Sequence, residues 1–381
     1  MKTIFITIDW FLPAYKAGGP VQSIANLVEQ YQQPETRFRI LCGNTDLDGS
    51  ELAGVAFDCW TSYNDCTQVW YASKKSTNVK TIRREIKDSG ATVLFIIGIY
   101  SWYFNIVPLL FGDTKMKILS ARGMLHPGAL SQKGFKKRIY LALLKLSGVQ
   151  QRCTFHATDD TEAGFIQAAF GNQTNVLIAG NYPRIFSWQQ ASEKKAGVLK
   201  MVSIALISPM KNILLVLQAL QHCRLQVDYD IYGPVKDQAY WQQCVALIRN
   251  MPDNIRVQFK GAIEPAQTAA TLGLYEVVVL PSKSENFGHA LFEALSAGKP
   301  VITSHFTPFN ELQLNKAGKN VSIENALEIT AAVDTFAAMS ATEFSAWNKG
   351  AHVYAIKQVD LAVLKKQYDG MFGGEVVNGE S

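Results

Sequence analysis

The chain has 381 residues, 48% hydrophobic and 18% charged, which is the balance of a globular protein long enough for two hydrophobic cores. Its six cysteines (Cys42, Cys59, Cys66, Cys153, Cys223, Cys244) include no CxxC pair, which argues against a disulfide framework and suits a reducing compartment. The net charge of +5 is uneven: residues 1–190 hold 20 Lys/Arg against 14 Asp/Glu, and the remainder 17 against 18, so the basic excess belongs to the first half.

The N-terminus, MKTIFITIDWFLP, has one Lys and a short apolar run. It lacks the long apolar core and cleavage site of a signal peptide and reads as a first strand over 3–8. Gly18-Gly19 follow in a loop, with Pro20 opening a helix over 20–31. The loop is not GxGxxG, so the dinucleotide fingerprint of a dehydrogenase is absent there. Strands are expected at 38–41, 92–97, 117–120, 154–157 and 175–178, with helices at 77–89, 133–146 and 160–169. The apolar stretch 91–111 is broken by Gly98, Ser101, Asn105 and Pro108. It reads as strand, loop and helix start, because a membrane span needs about 20 nearly uninterrupted apolar residues.

The segment SARGMLHPGAL (120–130) follows a strand and offers Arg122 and His126 to a cleft, with Tyr100 after the preceding strand. No acidic residue lies between Asp113 and Asp159, and KGFKKRIYLALLKL within that stretch mixes cations with apolar residues. Such a basic amphipathic helix fits either an anionic membrane surface or a core helix with a solvated basic face. Nucleic acid is disfavoured, because the rest of the chain lacks a basic, aromatic-lined face.

The polar stretch 188–197 (WQQASEKKAG) has linker character and precedes a fresh strand. It divides a first domain, 1–185, from a second, 198–350, with a terminal helix over 358–374 crossing back and a loose tail beyond. The second half repeats the alternation, with strands at 199–205, 228–232, 255–260, 277–280 and 300–303. Its helices are expected at 212–221, 239–250, 265–272, 287–297, 323–338 and 343–357. Strands alternating with helices predict parallel sheets covered by helices, one in each half.

The most informative segment is LPSKSENFGHALFEALSAGKPVITS (280–304). A strand ends at Leu280, a short loop follows, and a helix opens near Phe287–Gly288 and closes at Gly298. A loop in that position lies at the carboxyl edge of a parallel sheet, where open α/β sheets bind ligands. Backbone amides of Phe287, Gly288, His289 and Ala290 would face an anion, and Glu285 and Glu293 bracket them. A capped surface helix with acids near its positive end is the plainer alternative.

As a whole, SENFGHALFEALSAGKPVI resembles the E-x7-E segment of glycosyltransferase family 4, with Asn286 in place of the usual Gly. The resemblance runs over nearly the whole chain. It implies the GT-B fold, two Rossmann-like domains facing each other across an interdomain cleft. It also implies transfer of a sugar from a nucleotide-diphosphate donor with retention of configuration, without metal or resident cofactor. Glu293 then binds the ribose hydroxyls and Glu285 faces the donor sugar. Gly233 (in YDIYGPV), Gly261 and Ile263 (in VQFKGAIEP) lie by the nucleoside, and Gly18-Gly19 form the family's glycine loop. Lys211, in SIALISPMKNI, falls where an ammonium contacts the phosphates, but Leu206 stands where the family usually has an Arg. Lys211, Glu285 and His126 are the candidate catalytic residues, and Arg122 and Tyr100 the acceptor side. The acceptor implied is a saccharide or polyprenyl-linked saccharide in surface-polysaccharide synthesis, and the location implied is the cytoplasm, either free or at the inner face of the plasma membrane. A non-catalytic sugar-nucleotide-binding subunit and a GT-B-like epimerase remain as alternatives. Asp46-Leu47-Asp48 spells the DxD of metal-dependent GT-A transferases, but its place in an early polar loop makes chance the better reading.

Overall fold

A computed structural model describes residues 2–131, 134–188 and 194–373. Most of the expected tail, the middle of the expected linker and the first residue of the helix expected over 133–146 lie outside these. The chain forms two compact units, Met1–Tyr182 with Asp360–Ser381, and Pro183–Val359. The boundary precedes residues 188–197 because Phe186 is already buried in the core of the second unit, where its amide donates to Ser296 Oγ at 3.0 Å. The helix Ala341–Lys357 also belongs to this unit.

The first unit holds one eight-stranded sheet built from β1 (Lys2–Thr7), β2 (Thr36–Gly43), β3 (Trp60–Asn64), β4 (Thr67–Ala72), β5 (Val93–Ile97), β6 (Met116–Ser120), β7 (Thr154–Ala157) and β8 (Val176–Ile178). Its order is β3-β4-β2-β1-β5-β6-β7-β8, parallel except for the antiparallel β3–β4 pair. A parallel sheet is covered on both faces, so its central strands read as unbroken apolar runs. In β5, VLFII, every residue is buried. The helices Gly19–Gln30, Val79–Asp88 and Asp160–Phe170 alternate with the strands. The last helix, Leu361–Gly373, adds Tyr368, Met371 and Phe372 to this core, and the Phe372 ring packs on Tyr31, Phe38 and Phe95.

The hairpin β3–β4 was not expected from sequence. Its edge strand, WTSYN, is only half-buried and carries little apolar alternation, so its signal is weak. Pairing with β4 supplies what the pattern does not, with Trp60 edge-on to Trp70 at 5.6 Å.

The second unit holds a six-stranded, wholly parallel sheet of β9 (Val198–Ile204), β10 (Gln226–Tyr232), β11 (Ile255–Gly261), β12 (Val277–Leu280), β13 (Val301–Ser304) and β14 (Gly318–Val321). The order is β11-β10-β9-β12-β13-β14. Strand β14, the third unexpected strand, reads GKNV and has no apolar run to announce it. The helices Ile213–Leu220, Gln238–Ile248, His289–Ser296 and Ala326–Ala338 flank the sheet, and two apolar clusters fill the space between helices and strands. Each unit is thus a Rossmann-like α/β layer structure.

Candidate active site

In the second unit the chain starts at β9, moves outward through β10 and β11, then returns to the other side of β9 with β12. The connections leaving β9 and β12 therefore diverge, and the crevice between them is the topological switch point where such sheets take ligands. Lys211 comes from the first of these loops and Glu285 from the second.

The two loops are tied together by backbone. The Lys283 amide donates to the Met210 carbonyl at 2.8 Å, and the Glu285 amide to the Phe306 carbonyl, from the loop after β13, at 3.1 Å. A short 3-10 turn, Pro209–Lys211, ends at Asn212 in the left-handed region (φ 59°), which lets the chain reverse into the helix Ile213–Leu220. Within this frame Lys211 Nζ donates to Glu285 Oε1 at 2.5 Å, and Ser282 Oγ donates to the same oxygen at 2.6 Å. Both charged side chains are largely covered, 22% and 11% exposed, so the pair is weakly screened. A cavity lined by His305, Phe306, Ser322 and Glu328 among others opens beside them. Its Ile323 carbonyl accepts from Asn212 Nδ2 at 3.0 Å, which joins it to the Lys211 turn.

Helix His289–Ser296 begins two residues later than the sequence suggested. Gly288 is its N-cap in the left-handed region (φ 74°), and the amides of Leu291 and Phe292 already bond the Gly288 carbonyl at 2.9 and 3.0 Å. The amides of His289 and Ala290 lead the first turn, while Phe287 and Gly288 lie in the approach to it. Phe287 stacks obliquely on the His289 ring at 4.7 Å and on Phe292 at 5.7 Å, and Asn286 is half-buried just before it.

Glu293 lies on the second turn, 7% exposed. Burial pushes its carboxyl up to about 7, against the opposing pull of the Arg184 guanidinium. Arg184 is held by the Pro265 carbonyl at 2.9 Å and lies over the Phe186 ring. Sequence reasoning passed over Arg184 and Ser282. A cation just past a domain boundary and a Ser three residues before Glu285 were the available signals.

The two glycines expected by a nucleoside differ in kind. Gly233 has φ 137°, and a Cβ there would meet the Ala205 carbonyl oxygen at 1.8 Å, so the strand ends themselves require it. Gly261, at φ 77°, faces open space, and half-buried Ile263 follows two residues on.

In the first unit the switch point falls between β1 and β5 by the same reasoning. Gly18 (φ 82°) caps the helix Gly19–Gln30, with open space where its Cβ would be. Gly19 is already helical, so only Gly18 uses the left-handed freedom expected of the pair, and Pro20 follows inside the first turn. Asp9, just after β1, was missed by sequence reasoning although an acid directly after a first strand is a legible signal. Burial raises its carboxyl, and a hydrogen bond with Ser101, from the loop after β5, pulls it back.

After β6, Arg122 (φ 48°) donates to Asn181 Oδ1 at 2.5 Å, and its guanidinium lies 5.9 Å over the Phe95 ring. His126 Nδ1 accepts from the Gly128 amide at 3.1 Å, which organises the short helix Pro127–Ser131, and burial lowers its pKa. Tyr100 packs on Tyr140, with Lys137 over its ring. Arg122, His126 and Tyr100 all come from the loops after β5 and β6. His156 is a core residue: burial pushes it down to about 3, so the ring stays neutral between Ser120 Oγ (2.8 Å) and the Ala179 carbonyl (2.9 Å). Asp48 pairs with Lys16 at 2.6 Å and Asp46 accepts the Lys16 amide, so both DxD carboxylates organise their own loop. Among the described residues no group of three or more His, Cys, Asp or Glu is arranged to hold a metal ion.

Two Rossmann-like parallel-sheet units define the class, the GT-B fold of glycosyltransferases. Residues 185–345, nearly the whole second unit, match the family model described as Glycosyl transferases group 1. Similar solved structures include sucrose-phosphate synthase from Thermosynechococcus elongatus (14% identity, 98% of this chain and 99% of that chain, TM-score 0.74). HepE from Anabaena, in complex with UDP-glucose, is 15% identical over 98% and 100% of the two chains (TM-score 0.70). WaaG, a glycosyltransferase involved in lipopolysaccharide biosynthesis, is 14% identical over 98% and 100% (TM-score 0.65). At such identities the likeness is one of fold. Comparison with curated proteins gave no match.

Proposed function

We propose that this chain is a retaining glycosyltransferase of the family 4 type. It moves a sugar from a nucleotide-diphosphate sugar to a saccharide or lipid-linked saccharide acceptor in surface-polysaccharide synthesis, at the cytoplasmic side of the membrane. The observation that carries the proposal is the Lys211–Glu285 contact at the switch point of the second unit, in front of the Gly288-capped helix. The family match over that unit supports sugar transfer, and the similar HepE structure is a complex with UDP-glucose.

In this mechanism the bond between the anomeric carbon and the donor diphosphate breaks while the acceptor oxygen bonds that carbon from the same face. The acceptor proton passes to a phosphate oxygen. No covalent intermediate on the protein is needed, and the chain's task is to position and to stabilise charge developing on the leaving diphosphate. Lys211 and the first-turn amides of the helix serve that charge, and Glu285 is released from its ion pair to bind sugar hydroxyls. Glu293 grips the ribose, with Gly261, Ile263 and Gly233 about the nucleoside. Asn286, Phe287 and His289 line the approach to the phosphates, and in the first unit Gly18 and Gly19 form a glycine loop open enough for a phosphate or sugar. Arg122, Tyr100 and His126 serve the acceptor side. The reaction as proposed draws on no resident metal or cofactor. Leu206 leaves the clamp one cation short of the family pattern. Lys283, exposed and bonded through its amide to the Met210 carbonyl, offers a second ammonium on the same pair of loops.

The missing Arg favours one second reading, a subunit that binds nucleotide sugar without turning it over. Incubation with a panel of nucleotide sugars separates the two. Nucleotide released only when a saccharide acceptor is present supports transfer, whereas tight binding without release under any condition supports the subunit. In an active preparation Lys211→Ala lowers kcat by about 100-fold or more with a smaller change in KM, as expected for charge stabilised mainly in the transition state. Lys283→Ala is expected to cost about tenfold. Kinetics unchanged by both substitutions would remove the clamp assignment.

A further inference from the structure

The helix Gly134–Leu146 has two apolar faces, and only one of them is used. Leu144, Tyr140 and Leu141 pack into the core of the first unit, and the Tyr140 hydroxyl donates to the Ile99 carbonyl. On the other side Phe135, Ile139, Leu143 and Leu146 are 77%, 47%, 62% and 82% exposed. At about 100° per residue these four fall within about 80° of one another, forming a stripe where a solvated helix would carry polar groups. Lys136 borders the stripe on one side and Arg138 and Lys145 on the other, all three exposed.

We infer that this stripe and its flanking cations form a docking surface for an anionic lipid bilayer. The apolar residues are suited to the boundary between headgroups and acyl chains, and the cations to the lipid phosphates above it. Charge selects this occupant. No acidic residue lies between Asp113 and Asp159, so nothing on this stretch of chain neutralises the cations. A second copy of the chain, docked face to face, would bring the same cations together. Aromatic residues point the same way. The segment that holds the helix, Ile99 and Tyr100, continues into Trp102 and Tyr103, which are 54% and 38% exposed, and such rings favour the bilayer interface. No described helix is long and apolar enough to cross a membrane, so the contact is peripheral.

The test is sedimentation of the purified chain with phosphatidylcholine vesicles, with and without admixed phosphatidylglycerol, in the absence of nucleotide and acceptor. It therefore succeeds or fails separately from the sugar-transfer reading. The chain is expected to co-sediment with the anionic vesicles only, less so as salt is raised. Phe135→Ser with Leu143→Ser, and separately Lys136→Gln with Arg138→Gln, should each weaken binding by about tenfold or more. Far-UV circular dichroism and melting temperature should stay unchanged, because all four side chains are exposed. Equal binding to neutral and anionic vesicles, binding that survives both double substitutions, or no binding at all would overturn the inference. So would a concentration-dependent dimer that the Phe135/Leu143 substitutions abolish.

Discussion

Glu293 shows how one buried carboxyl ties stability to ligand binding. Its pKa in the folded chain, about 7, lies above the ordinary carboxylate value, so the fold binds this proton more tightly than the unfolded chain does. Its stabilising share is present below about pH 4 and is lost as pH rises toward 7, leaving an uncompensated cost above that. That cost is of the order of 3 kcal/mol by the size of the shift. Glu293→Gln should therefore raise the melting temperature at pH 8 and leave it nearly unchanged at pH 4. Nucleotide affinity should move the other way. If the carboxylate grips the ribose hydroxyls, binding by the native chain tightens as pH rises through 7, and the Gln variant binds at least tenfold more weakly at pH 8. Titration calorimetry across pH 6–8 checks this, and equal affinity for both proteins would remove Glu293 from the nucleotide site. The contact of Lys211 with Glu285 was foreseeable only as proximity. The shared role of Ser282 and the burial of Glu293 depend on packing that the local pattern does not encode.

Among the elements, the glycines at the ends of β10 and β11 make opposite predictions from similar letters. Gly233→Ala would drive a Cβ into the Ala205 carbonyl in a backbone conformation that only Gly adopts easily, and should cost about 3 kcal/mol or more in chemical denaturation. Gly261→Ala meets open space and should cost about 1 kcal/mol, the strain of positive φ alone. Equal losses would mean that the close approach at Gly233 is relieved by movement of β9. Most elements were legible because their residues keep one period throughout, as in VLFII of β5 or the helix Asp160–Phe170 capped by Asp159. Of the strands that escaped, β3 and β14 take their structure from a neighbour. GKNV pairs with β13 because Gly318, at φ 153°, lets the backbone pass within reach of the Val301 carbonyl, a demand that no hydrophobic pattern expresses.

For the whole molecule, the two units carry separate cores, and the last helix belongs to the first of them. Ending the chain at Val359 removes Tyr368, Met371 and Phe372 from beneath β1, β2 and β5. Large buried side chains lost together are expected to unfold or aggregate the first unit. The fragment 183–359 keeps its own clusters intact and should melt cooperatively and still bind nucleotide. Calorimetry of the truncated chain and of the fragment decides it, and a truncated chain that melts like the full one would refute the core role of the last helix. The sequence by itself determined the alternation of strands and helices, the two-unit α/β class and the segment that surrounds Glu285 and Glu293, since these follow from local periodicity and turn chemistry. Only the tertiary structure decided which loops meet. Strand order puts Lys211 beside Glu285 across 74 residues of chain, and burial sets the charge of Glu293. The same packing chose which face of the helix Gly134–Leu146 is covered, because contacts between distant segments depend on how sheets and helices stack and not on any one stretch of letters.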